Sequence, residues 1–526
     1  VTAPLSPETR VAALEALAGR ELDLLVVGGG ITGAGIARDA ALRGLATGLV
    51  EAVDFAAGTS SRSSKLIHGG VRYLQQGDVA LVREAANERA VLRRIAPHLA
   101  EPLVLVMPTY RMATQLKLKA GMFMFEKLTT VEPDDHYQAW GRDEAIVHEP
   151  LLAPDGLYGA VAFTEYVTDD ARLVLANVRS AHEAGALVAN HAEVTALGRG
   201  SATVRDAFTG ATYAVRARVL VNAGGPWVDA LRRAAGAAGG RHLQLTKGVH
   251  LVVPHDRLPV RQGVVMTARD KRSVFVIPRD GITYIGTTDT FYPEPRLDPE
   301  VTRDDVDYLL EAVNRTFRGE RLASADVTGA WAGLRPLLAE EGKAPSEISR
   351  RDEIMVDDAT GLVTIAGGKL TAYRRMAERT VDLVIERLGH PPVPCRTDAL
   401  PLAGGEAAPP PLPSTLAPDA QSRLRRLYGA TVARLLTRDA RAEPVAGIGG
   451  VLRAEIEHAI DEEMALTLED VLERRTRALL FDGRQALDGV EEVAAIMARR
   501  LGWDAARTGA ELDHYRSLAK GSRSFA

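Results

Sequence analysis

A chain of 526 residues is too long for one hydrophobic core and predicts two or three domains. Its formal net charge of -5 supplies no global basic field, which argues against nucleic acid as the main partner. The single cysteine, Cys395, excludes an intramolecular disulfide and a cysteine-rich metal site, and predicts a reducing, cytoplasmic setting.

The N-terminal residues lack the basic-then-apolar order of a secretion signal, and no uninterrupted apolar run is long enough to cross a bilayer. They predict a short helix instead, with Ser6 as N-cap, Pro7 at the first position, and Val11, Leu14 and Leu17 on one side. The stretch from Leu24 then reads as a buried strand that breaks into a glycine turn and opens a helix. Gly28, Gly30 and Gly33 have the spacing that gives a sharp turn, close backbone approach to a pyrophosphate, and helix-on-strand packing. The helix beginning at Ile31 and Thr32 offers N–H groups and a positive dipole end to phosphates. A second strand ends at Glu51, about 20 residues past the turn, where a carboxylate accepts from a ribose hydroxyl. Together these predict a dinucleotide fold.

Between Gly58 and Leu74 the chain sets Thr59, Ser60, Ser61, Ser64 and Lys65 ahead of Leu66, a paired glycine, Arg72 and Tyr73. Small hydroxyls and free amides wrap a pyrophosphate and the rim of a flavin without crowding it. Residues 79–99 have helical periodicity, and 108–128 hold a second helix. In the latter, Leu118, Met122 and Phe125 share a face beside Arg111, Lys117, Lys119 and Lys127. That pattern fits a core helix with solvated lysines or a helix lying on an anionic membrane surface. Thr168-Asp169-Asp170 caps a helix running to Ala184, Val194 falls at a strand start, and an apolar strand ends in Asn222-Ala223-Gly224 before Trp227. Alternation along the strand from Lys247 puts Lys247, Val249 and Leu251 on one face and Gly248 and His250 on the other. Two further strands lead to Asp289, a helix spans 303–314, and Arg335 stands before a proline that restricts its backbone. A strand then runs into Gly367, Gly368, Lys369, Leu370 and Thr371 and opens another positively polarised helix N-terminus. The Pro-, Ala- and Gly-rich residues 396–420 read as a linker. Beyond it the pattern is all helical, a separate small bundle in which a Thr467-x-x-Asp470 cap opens a helix through Leu480.

The stretch Thr59 to Leu74 closely resembles the signature of the FAD-dependent glycerol-3-phosphate dehydrogenases, quinone-linked flavoproteins related to the D-amino acid oxidase fold. The likeness extends, with interruptions, from about Glu21 to about Arg375, through D-D-A-R-L-V at 169–174, K-G-x-H-x-V at 247–252 and the glycine pair at 367–368. It implies an α/β architecture: a Rossmann-like FAD domain from residues 21–78, 165–235 and 336–395, after an N-terminal helix in 1–20. An α+β substrate domain from 79–164 and 236–335 and an all-α C-terminal domain from 421–526 complete it. It further implies non-covalent FAD held by Gly28, Gly30, Ile31, Thr32, Gly33, Glu51, Thr59, Ser60, Ser61, Ser64, Lys65, Leu66, Val194, Gly224, Trp227, Gly368, Lys369, Leu370 and Thr371. The substrate would meet Arg72, Tyr73, Lys247, Arg335, Arg350 and Thr371, with His250 as general base. Arg335 clamps phosphate, and Lys369 holds the alkoxide or a flavin carbonyl. Arg350 is followed by Arg351 where the family has one arginine, so Arg351 is the alternative.

The implied reaction removes the C2 hydroxyl proton of glycerol 3-phosphate and passes its hydride to FAD, with electrons going on to a quinone. A homodimer at the cytoplasmic membrane face, touching it through 111–128, is the implied setting. A glycerol phosphate oxidase, an amine or amino acid oxidase of the same fold, and a non-enzymatic dinucleotide sensor are the competing functions. NAD is disfavoured, because three further glycine turns suit a long, buried FAD.

Overall fold

The computed structural model describes residues 3–70, 78–129, 131–132, 135–237, 242–339, 351–439 and 442–525. Among these residues two large sheets carry the fold. The first has eight strands, with the central order Asp352–Val356, Val363–Gly367, Thr212–Asn222, Glu21–Val27, Thr47–Val50, Leu187–Ala189. From Val363–Gly367 to Leu187–Ala189 these strands are parallel. Such a sheet is buried on both faces and needs near-continuous apolar strands, which Leu24-Leu-Val-Val supplies. Leu24 and Val26 pack beneath the helices Ile31–Leu42, Asp170–Glu183 and Tyr373–Leu388. Leu25 and Val27 face the N-terminal helix Pro7–Gly19 through Leu14 and Leu17.

The register fixes where a ligand can sit. Val27 lies level with Val50 and with Asn222, and Asn222 with Thr364. Gly28–Gly30, Glu51, Gly224–Gly225 and Gly367–Gly368 therefore all leave the sheet at its carboxyl edge, the edge outside which open α/β sheets bind ligands.

The second sheet has ten strands and is mostly antiparallel. Its order is Thr290–Tyr292, Leu243–Pro254, Ile282–Gly286, Ser273–Arg279, Gly263–Thr267, Glu101–Thr109, Gly159–Val167, Leu66–Ile67. Gly329–Leu338 also pairs with Leu243–Pro254, and Gln138–Gly141 with Gly159–Val167. Val249, Leu251 and Val253 pack on the helix Arg303–Thr316. The opposite face presents Val252, Tyr284 and Trp331 to the C-terminal helices.

Four sequence expectations need correcting. On the N-terminal helix Ser6 and Pro7 stand as expected, but Val11 is exposed and Arg10 is buried, its guanidinium bonded to Asn190 O, His191 O and Asp206. Residues 396–420 are no free linker: Leu402 is fully buried against the first sheet's helices and its amide donates to Ile95 O (2.8 Å). The C-terminal bundle is not separate, because its apolar side chains share one core with Trp331, Tyr284 and Ile277 of the second sheet. The helix expected from Thr467 through Leu480 is broken into a wide turn at Asp470–Arg475 and a short helix at Ala478–Phe481, joined through a left-handed Arg477 (φ +65°). Among the described residues no helix is long and apolar enough to cross a membrane.

Candidate active site

The glycine turn is shaped as a cradle. Gly28 has φ +113°, and a Cβ there would lie 2.5 Å from Ala223 O. A Cβ on Gly33 would meet Gly28 O at 1.9 Å, so a side chain at either position closes the turn. The N-cap of Ile31–Leu42 is Gly30, which brings no side chain into the helix mouth. The Ile31 amide instead donates to the Ser60 hydroxyl (3.0 Å). Glu51 sits beside the turn, accepting from Gly29 N at 2.7 Å and from Val53 N at 3.0 Å. Burial raises its carboxyl pKa, and those two amides oppose the rise. Each oxygen keeps a second lone pair for a ribose hydroxyl.

Val194 lies two residues past Ala192, whose amide donates to Glu51 O (2.7 Å), and its strand bulges there. Trp227, after Gly224, lies against Gly58, where an added Cβ would be 3.3 Å from the indole. Gly367 and Gly368 are both left-handed (φ +76° and +86°) and turn the chain into Lys369, the N-cap of Leu370–Ala372, with Thr371 buried. This donor set, glycine turns and helix mouths along one sheet edge with a ribose-sized acid, fits a dinucleotide such as FAD.

The hydroxyl-rich segment joins this edge to the second sheet. Thr59 Oγ1 donates to Leu334 O (2.6 Å), one residue before Arg335, and Ser61 and Leu66 are buried. Ser64 Oγ meets His250 Nε2 at 2.9 Å.

His250 projects from the face that alternation predicts, stacked on Trp331 with ring centroids 4.9 Å apart and an 11° tilt. It lies over Gly286, where a Cβ would come within 2.0 Å of the ring. Arg335 lies likewise over Gly248. Its Nη2 donates to Thr287 Oγ1 (2.9 Å), and its Nη1 to Asp289 (3.2 Å) and Thr288 O (3.3 Å). Glycines at 248 and 286 thus form a floor on which an imidazole and a guanidinium lie together. Burial first, then the Arg335 and Lys65 charges, drive the His250 pKa well below 6.5, so the ring is neutral near pH 7. Its buried Nδ1 has no hydrogen-bond partner among the described residues.

Two side chains depart from expectation. Lys247 is turned to the opposite face, where its ammonium binds Asp305 (2.6 Å) and Glu300 O (2.9 Å); it does not reach the His250 face. The cause is the strand's period of two, which cannot bring Lys247 and His250 to one side. Lys65 directs its ammonium to Ser61 O and Asp170 (both 2.9 Å), so its side chain serves the turn rather than the cradle. Arg72, Tyr73 and Arg350 lie outside the described residues. Arg351 is largely exposed and pairs with Asp78 (2.5 Å). Trp331, Thr287 and the orienting role of Asp289 escaped the sequence, where a lone tryptophan and a strand-end aspartate carry no local signal.

The carboxyl-edge cradle and the polar patch facing it define a flavin-type oxidoreductase. Residues 23–374 match the family described as FAD dependent oxidoreductase, and 395–508 match the C-terminal domain of alpha-glycerophosphate oxidase. The chain belongs to the FAD dependent oxidoreductase family. It is 40% identical over 509 residues to the aerobic glycerol-3-phosphate dehydrogenase of Bacillus subtilis, covering 92% of each chain. It is 37% identical over 527 residues to the enzyme of the same name from Staphylococcus aureus, covering 95% of this chain and 94% of that one. The glycerol-3-phosphate dehydrogenase of Bacillus halodurans, solved in complex with FAD, superposes with a TM-score of 0.81 at 35% identity over 99% of both chains.

Proposed function

We propose that this protein oxidises sn-glycerol 3-phosphate to dihydroxyacetone phosphate and passes the electrons on to a quinone. The observation that carries the reading is the pairing of a neutral imidazole with a fixed guanidinium on one glycine floor. The two relatives named as aerobic glycerol-3-phosphate dehydrogenases, each matching over nine-tenths of the chain, support the choice of substrate. FAD, when bound, supplies the acceptor for the C2 hydride.

The chain's own residues do the rest. Gly28, Gly30, Ile31, Thr32, Gly33, Glu51, Ser60, Gly224, Trp227, Gly368 and Leu370 hold the dinucleotide along the carboxyl edge. Arg335, steadied by Thr287 and Asp289, receives the phosphate as a charged fork. His250 takes the C2 hydroxyl proton, which leaves the electron pair on oxygen to form the carbonyl as hydride departs. The dianion offsets the Arg335 charge that depresses His250, so substrate binding itself makes the ring a stronger base. Lys369, at the second helix mouth, stabilises negative charge on the oxygen or beside the flavin.

Contact with a membrane fits the helix Met112–Leu128. Met122 and Phe125 face the core while Met112, Leu116, Phe123 and Met124 are each about half exposed, from 48% to 57%, among Lys117, Lys119 and Lys127. An apolar stripe flanked by cations suits an anionic lipid surface, where a quinone resides.

Anaerobic addition of glycerol 3-phosphate to the purified yellow protein tests the reading. Loss of the visible flavin absorption is expected, with subsequent reoxidation by a quinone analogue faster than by oxygen. A spectrum unchanged by glycerol 3-phosphate would sink the substrate assignment, and rapid peroxide release would favour the oxidase.

A further inference from the structure

The turn 61–65 ends in a left-handed lysine, Lys65 (φ +55°), a conformation that costs a side-chain-bearing residue energy unless its surroundings impose it. Its surroundings do. Asp170 accepts from Ser63 N (3.0 Å), Ser63 Oγ (2.7 Å) and Lys65 Nζ (2.9 Å). Trp331 Nε1 donates to Ser63 O at 3.3 Å, Tyr284 OH to Ser64 O at 3.1 Å, and Thr168 N to Lys65 O at 2.8 Å.

A further hold comes from more than 300 residues away in sequence. Arg477 Nη2 donates to Ser61 O and to Asp170 Oδ1, each at 3.0 Å, and its Nε lies 3.0 Å from Asp169 Oδ2. Arg477 is 1% exposed, and its own left-handed backbone is the break in the C-terminal helix noted above. Two buried carboxylates, Asp169 and Asp170, thus face two buried cations, Lys65 and Arg477. Burial would raise the Asp170 carboxyl, but the Lys65 and Arg477 charges outweigh it and hold the group ionised. Without the guanidinium the cluster keeps an uncompensated negative charge where water cannot reach it.

We propose that Arg477 is a positioning residue for the FAD site: through Asp170 and Ser61 it sets the turn that places the Ser60 hydroxyl at the dinucleotide helix and the Ser64 hydroxyl at His250. The helical C-terminal segment is then part of the cofactor site at one remove. The inference rests on FAD and not on the substrate proposed above, so FAD titration tests it whatever the substrate is.

The experiment compares full-length Arg477→Met, Arg477→Lys and Arg423→Met. The last breaks another buried pair of the C-terminal segment, Arg423 with Glu455, whose hydrogen bonds among the described residues run to Gly450 and Leu452 and not to the turn. FAD is stripped and titrated back by flavin fluorescence, amide hydrogen exchange is followed over residues 60–66, and melting temperature is recorded for each. Arg477→Met is expected to weaken FAD at least about tenfold, the scale of one lost charge-assisted hydrogen bond, and to speed exchange in the turn. Arg477→Lys, which keeps the charge but brings a single ammonium in place of the guanidinium fork, should fall between it and wild type. Arg423→Met should lower the melting temperature while FAD affinity stays within about twofold of wild type. Wild-type FAD affinity in both Arg477 variants, or equal weakening in Arg423→Met, overturns the proposal. Should Arg477→Met fail to fold, Arg477→Lys decides alone: weaker FAD with faster exchange supports the inference, and wild-type values for both overturn it.

Discussion

His250 and Arg335 share one patch, and their removal should leave different kinetic signatures. A general base placed at the reacting hydroxyl contributes about two to four orders of magnitude. His250→Ala should therefore slow flavin bleaching in stopped flow by roughly 10²–10⁴ while FAD stays bound; bleaching at the wild-type rate would move the base elsewhere. Arg335→Ala removes a charged fork rather than a proton acceptor, so KM for glycerol 3-phosphate should rise by about one to two orders of magnitude. An unchanged KM would mean that its bonds to Thr287 and Asp289 serve the sheet alone. Much of this patch was legible. Alternation separated His250 from Lys247, and only the resemblance drew Lys247 into the substrate site; the ion pair with Asp305 returns it to the scaffold. The glycine floor was not legible, because Gly248 and Gly286 become neighbours of Arg335 and His250 only through strand pairing.

At the scale of elements, the helix Met112–Leu128 offered two readings in sequence, and both faces now have a location. Gln115, Met122 and Phe125 are inside, with Gln115 bonded to Trp140 O (2.9 Å), while Leu116 and Phe123 are outside. Periodicity reveals that a helix has an inner face but cannot say what lies against the outer one. Leu116→Glu combined with Phe123→Glu should abolish co-sedimentation with anionic vesicles and leave flavin content intact. Retained sedimentation would assign the stripe to something other than lipid. The helix expected after Thr467 failed for a different reason. Its cap forms, with Asp470 N donating to Thr467 Oγ1 at 3.1 Å, but three arginines within four residues are drawn inward to buried acids. Arg474 and Arg475 meet Asp54, and Arg477 meets Asp170, so tertiary ion pairs override helical propensity.

Across the whole molecule, buried histidines set the acid limb of stability. Burial, with the Arg172 charge nearby, lowers His98 to about 3, and His250 is also held well below 6.5. Both rings are neutral in the folded chain, so below about pH 6.5 the unfolded chain binds more protons and stability falls as pH falls, by about 1.4 kcal/mol per pH unit for each ring. His191 shifts the other way: burial lowers it, but the Asp470 carboxylate outweighs burial and raises it. His191's contribution is complete below about pH 6.5 and is lost as pH rises through its folded value, so it leaves the acid limb unchanged. The melting temperature should therefore drop from pH 6.5 to 5.5, and drop less in His98→Gln; an equal drop in both would place the titration elsewhere.

By itself the sequence determined what is local or periodic: the glycine turn, the acid at the next strand end, the capped helices at Ser6 and Asp169, and the face of the strand that carries His250. These follow from steric rules and repeat lengths that act over a few residues. Tertiary structure alone decided which distant groups meet. It gathered four strand ends into one cradle edge, laid residues 397–402 along the first sheet's helices, merged the C-terminal helices into the second sheet's core, and brought Arg477 to the turn at Ser61. Such meetings depend on how whole surfaces bury area and pair charge, and no short window of sequence encodes the partner of a buried charge that lies hundreds of residues away.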